Sequence, residues 1–132
     1  MNLFRIVFRR RRIRHSCRRL GLNRRDFLKH KETARALVRE RVQHWSTIYG
    51  ISVRKITIRN QRTRWGSCSK NGNLNFNYRI IHLPPHLADY LIVHELCHLK
   101  EFNHSKAFWI LVGQNIPNYG KLRGKLRKIR LS

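Results

Sequence analysis

The run His94-Glu95-Leu96-Cys97-His98 sets two imidazoles four residues apart with a carboxylate between them. On an α-helix, residues at that offset share one face, so His94 and His98 can present ring nitrogens to a single point. Glu95 lies one step round the helix, within hydrogen-bonding reach of a water held there. This H-E-x-x-H arrangement supplies two zinc ligands and a general base from one turn. Hydrolysis by a metal-activated water is the chemistry that it suits. Leu91, Ile92, Val93, Leu96, Cys97 and Leu99 make the segment apolar almost all round, which predicts a buried helix. Two imidazoles and a carboxylate buried without partners cost several kcal/mol, and ligation satisfies them together.

The third ligand follows by elimination. The acids of the chain are Asp26, Glu32, Glu40, Asp89, Glu95 and Glu101, so no Glu on a later helix can complete the site. No Cys follows Cys97, and His104 is the only His after His98. Three histidines plus water is therefore the economical set for Zn2+. The offset of six from His98 to His104 matches H-E-x-x-H-x-x-G-x-x-H enzymes. Glu101 stands where that pattern has Gly, and the only Met is Met1, so there is no Met-turn beneath the metal. Asn103 can make the turn that brings His104 back. Glu101 is the alternative ligand, against its ordinary reading as a solvated carboxylate at a helix end.

These residues sit within a larger set: Arg64-Trp65-Gly66-Ser67-Cys68-Ser69, Asn73 to Arg79, Leu83-Pro84-Pro85, and Asn103-His104-Ser105 with Phe108-Trp109. Together with the histidine motif the set resembles the YgjP-like metallopeptidase family, relatives of the SprT-like zinc proteases, over roughly residues 31–116. The resemblance implies a small zincin fold with one Zn2+ on His94, His98 and His104, and Glu95 as catalytic base.

The elements that must position this site follow from periodicity. The expected fold is α+β, a small zincin-like domain in residues 31–132. It has a backing helix and a short antiparallel β-sheet over the active-site helix, with further helices C-terminal. Ala34, Leu37, Val38, Val42, Trp45 and Ile48 recur at helical spacing, predicting the backing helix over Lys31 to Tyr49, stopped by Gly50. Ile51 to Arg59 alternates as a strand. Trp65–Ser69 and Asn73–Tyr78 read as a hairpin about Lys70-Asn71-Gly72, where Asn-Gly suits a type I′ turn. An exposed strand edge above a metal can pair with an extended substrate. Asn73–Tyr78 is the expected edge, with Asn75, Asn77 and Tyr78 as substrate contacts. Pro84-Pro85 opens the active-site helix, expected to run to about Glu101 with Asp89 in its first turn. Ser105 reads as the N-cap of a helix carrying Phe108 and Trp109 beneath the metal. A last, basic helix follows Pro117, with Leu122, Leu126 and Ile129 on its apolar side.

Length and charge bound the rest. A chain of 132 residues is one domain in size. Thirty Lys plus Arg against six acids give a net charge of +24, a field suited to nucleic acid or another polyanion. Residues 1–30 form an Arg-rich arm or short strand region, read either as a solvated tail or as a phosphate-contacting arm. No apolar run is long enough to span a membrane. Three cysteines without secreted-scaffold density point to reduced thiols and a cytoplasmic setting, with Cys68 and Cys97 as core residues. An organelle transit peptide is the other reading of the Arg-rich start. The expected function is a zinc metallopeptidase acting on a peptide or protein substrate. Its rivals are a zinc-dependent hydrolase of nucleotide phosphoanhydrides and a nucleic-acid-binding protein with structural zinc. The sequence carries no information on oligomeric state.

Overall fold

The computed structural model describes residues 4–7, 18–129 and 131. The Arg-rich run Arg9–Arg12, and with it most of the expected phosphate-contacting arm, lies outside the described residues.

Helix α1 spans Arg18–Tyr49, so it starts well before the expected Lys31. Apolar periodicity is thin in this basic first part, but Arg and Leu are good helix formers and no proline interrupts them. Tertiary contacts hold this stretch: Phe27 packs edge-on against Tyr78 at 5.4 Å. Further along, Ala34, Val38 and Val42 are buried as expected, whereas Ile48 is 47% exposed. Gly50, at φ +63°, stops the helix in a backbone conformation that only glycine adopts freely.

The strands are β1 (Phe4–Val7), β2 (Lys55–Arg59), β3 (Arg64–Cys68) and β4 (Asn73–Asn77), in the spatial order β1-β3-β4-β2. Strands β1 and β4 flank β3 in antiparallel fashion, while β2 pairs with β4 in parallel. The sheet is thus mixed, not wholly antiparallel, because the connection between its two parallel neighbours is β3 itself. One consequence corrects the sequence reading: β4 is interior, with both backbone edges paired, and cannot accept a peptide strand. At the hairpin, Gly72 N–H donates to the Ser69 carbonyl at 3.1 Å and Ser69 N–H to the Asn73 carbonyl at 2.9 Å. Only Gly72 there has positive φ, at +86°. Asn71 does not, so the turn is the three-residue kind with a glycine bulge and not type I′.

The remaining elements are a short 3-10 helix (Tyr78–His82) and helices α2 (Pro85–Cys97), α3 (Lys106–Gly113) and α4 (Tyr119–Lys128). Helix α2 runs through the core, with Leu91, Ile92, Val93 and Leu96 fully buried between α1, β3, α3 and α4. It ends at Cys97, short of Glu101, and Asp89 falls just past its first turn. Asp89 instead receives both arms of the Arg41 guanidinium, at 2.7 and 2.9 Å, clamping α2 to α1. No helix of the described residues is long and apolar enough to cross a membrane.

Candidate metal centre

His94 and His98 point from the last turn of α2 and its cap to one spot, and the chain then turns back so that His104 joins them. Their Nε2 atoms form a near-equilateral triangle with sides of 3.0, 3.1 and 3.2 Å. Three nitrogens at the ~2.0–2.1 Å ligand distance from one tetrahedral zinc-type ion lie about 3.3 Å apart, so the triangle is the size of a ligand set. Tautomer assignment strengthens the match. His98 Nδ1 lies 3.1 Å from the Glu101 carbonyl, which can only accept, so this nitrogen carries the proton. In the neutral ring Nε2 then holds a bare lone pair directed at the other two nitrogens. His94 Nδ1 is 3.3 Å from the Tyr90 hydroxyl, one turn back on the same helix. Nitrogens converging in this way, two of them from buried rings, suit a cation, and the Glu101 carbonyl already orients the His98 ring for it.

The rings rest on aromatic side chains of α3. Phe108 stacks on His98 at 4.3 Å and 14°, and Trp109 on His104 at 5.8 Å and 21°. Tyr119 of α4 backs Trp109 at 5.1 Å. Ser105 caps α3 as its sequence predicts, its hydroxyl accepting the Phe108 N–H at 3.4 Å. Burial holds His94 well below the usual imidazole range, helped by the neighbouring rings, and brings His98 down to about 4. His104 is lowered too, by burial and then by the Arg123 charge, and that guanidinium lies 5.1 Å over Trp109. Neutral imidazoles are the ligating form, so protons should compete poorly here. Metal retention, followed by equilibrium dialysis, should therefore hold below the ordinary imidazole pKa of about 6.5 and fail only near pH 5 or lower.

Glu95 is fully buried between α2 and β3, and neither carboxylate oxygen has a partner among the described residues. Burial pushes its pKa well up. The space that it occupies exists because residue 66 is glycine: a Cβ there would stand 3.0 Å from Glu95 Cγ and 3.2 Å from Oε1. A buried carboxylate without a hydrogen-bond partner, one residue along the chain from His94, is a costly arrangement that contributes nothing to the fold's stability.

The expected substrate contacts serve other purposes. Asn75 donates to the Ser67 hydroxyl at 3.2 Å. Buried Asn77 donates to the Arg64 carbonyl at 3.0 Å and accepts the Arg79 N–H at 3.1 Å. Buried Tyr78 donates to Asp26 at 2.7 Å, tying the sheet's end to α1. Glu101 contributes its backbone carbonyl, and Cys68 and Cys97 are free, buried thiols. Sequence reasoning placed Phe108 and Trp109 beneath the site but assigned no role there to Gly66, Tyr90 or Arg123. Tyr90 alone had a readable signal, its offset of four from His94.

A family model described as YgjP-like, metallopeptidase domain, matches residues 17–129. The chain belongs to the YgjP-like family. Among solved structures, this YgjP-like chain is similar to the crystal structure of the metallopeptidase zymogen of Pyrococcus abyssi abylysin. The TM-score is 0.63 at 23% identity, covering 67% of this chain and 90% of that one, which establishes a shared α+β fold. No curated protein matches the chain. Membership of a metallopeptidase family implies a metal ion, and His94, His98 and His104 are residues fit to hold it.

Proposed function

We propose that this chain is a zinc-dependent peptidase in which Glu95 is the general base and His94, His98 and His104 hold the ion. The observation that carries the reading is the Nε2 triangle, with sides of 3.0–3.2 Å, in which the Glu101 carbonyl turns the His98 lone pair inward. Three neutral imidazoles would leave a bound ion's charge intact, with room for a water. When bound, zinc supplies a Lewis acid that polarises a carbonyl and lowers the pKa of water. Glu95 accepts the proton of the attacking water and hands it to the leaving amine nitrogen. Its desolvated carboxylate is a stronger base than one in water, which suits that role near neutral pH. Phe108 and Trp109 hold two ligand rings in register, so little reorganisation accompanies binding. The Arg123 guanidinium at the rim and a net charge of +24 favour acidic or nucleic-acid-bound protein substrates. Buried, unpaired thiols fit a cytoplasmic setting.

Chelation tests the reading. Casein hydrolysis by the purified protein should vanish on removal of metal and return with one equivalent of zinc at this centre. Turnover indifferent to chelation would overturn the proposal. Release of phosphate from nucleoside triphosphates, without casein cleavage, would favour the phosphoanhydride reading instead.

A further inference from the structure

At the other end of α2, a second group of metal-binding side chains comes together. Asp26 and His30 lie one turn apart on α1, and His82 ends the 3-10 helix that precedes α2. One ligand atom from each lies within 4.8 Å of the others. His30 Nε2 is 3.3 Å from Asp26 Oδ1, and the His30 and His82 rings meet edge-on at 5.6 Å. The carboxylate is held from behind: buried Tyr78 donates its hydroxyl to Oδ2 at 2.7 Å, and Phe27 packs against the Tyr78 ring. Oδ1 is thereby left facing the two imidazoles. A hydrogen-bonded carboxylate oriented in this way is the usual outer support of a metal ligand.

We propose that Asp26, His30 and His82 form a second site for a divalent transition-metal ion, separate from the histidine centre. An ion pair between His30 and Asp26 accounts for two members of the group but not for His82. Asp26 is the sole acid of the first 31 residues, and it is spent here. Two nitrogens and one oxygen suit zinc, nickel or copper, whereas magnesium and calcium favour all-oxygen sets. The site is half-open, so water completes the coordination. The stretch of α2 between the two sites, nine residues from Pro85 to His94, rises roughly 14 Å at about 1.5 Å each. Occupancy would pin the N-terminal half of α1 to the segment that enters α2.

The site requires no catalysis to be detected. Metal-free protein, reloaded with zinc and washed, should carry two equivalents by elemental analysis. His82→Ala and His30→Ala should each carry one, as should His104→Ala, and His82→Ala combined with His104→Ala should carry none. His82 is exposed, so its replacement leaves the fold intact by circular dichroism even if that of His30 does not. One equivalent in the wild type, lost with His104→Ala and unaffected by His82→Ala, would overturn the second site and leave the first standing. Two equivalents that persist in His82→Ala would overturn it as well.

Discussion

Glu95→Gln should cut peptide hydrolysis by about 10²–10⁴-fold while leaving metal content unchanged, since the proposed role of this group is to move a proton and not to hold the ion. The amide keeps the shape of the side chain in a site with no room to spare, so the loss reads as loss of a base. Metal content by elemental analysis and kcat/KM on one peptide separate the two roles. A variant that retains turnover removes Glu95 from the mechanism. The same substitution has a signature in stability. Burial raises the folded-state pKa of Glu95 well above its ordinary value of 4.5. Such a group favours the folded state at low pH, and the metal-free wild type should weaken as pH climbs from about 4.5 through the raised pKa. Gln does not titrate, so the variant should gain on the wild type across that window, as followed by urea denaturation. Parallel stability curves from about pH 5 to 8 would contradict the desolvated carboxylate.

Gly66→Ala should slow hydrolysis roughly tenfold, and Gly66→Val about 10²-fold, without loss of metal. Gly66 has no unusual φ, so space and not backbone freedom decides the matter. An added Cβ meets Glu95 Cγ at 3.0 Å, the Asn75 carbonyl at 3.1 Å and Glu95 Oε1 at 3.2 Å. The Asn75 carbonyl belongs to interior strand β4 and is held by its neighbours on either side. Glu95 is therefore the group that yields, and a base displaced by a fraction of an ångström loses its line to the water. Overpacking should also cost about 1–3 kcal/mol in stability. The readout is kcat against KM with thermal unfolding alongside: kcat should fall with KM little changed. Wild-type kcat in Gly66→Ala would show that strand β3 does not set the position of Glu95.

The roles of Gly66 and Glu95 also mark where sequence reasoning stops. Glu95 is legible because its neighbours in the motif stand at fixed helical offsets, and a helix converts such offsets into directions. Gly66 lies 29 residues upstream on a strand, and its bearing on the site comes from how β3 packs on α2. The expected peptide-binding edge failed for a related reason. Alternation along Asn73–Asn77 predicts a strand but says nothing of its neighbours, and β2 inserts in parallel on the side expected to be free. Helix α1 shows the same limit from another direction. Its basic N-terminal part lacks an apolar stripe, and contacts from Phe27, Asp26 and His30 to residues 78–82 support it instead.

By itself the sequence determined which three histidines come together, the helix that aims two of them, the caps at Gly50 and Ser105, and an α+β fold. All of these are set by local offsets and by a shortage of acids that leaves few alternatives. Tertiary structure alone decided the strand order, the seat that Gly66 makes for Glu95, the stacking of Phe108 and Trp109 on the ligand rings, and the meeting of Asp26 with His82. Each of those joins residues far apart in the chain, and only packing, which acts on distance in space, brings them together.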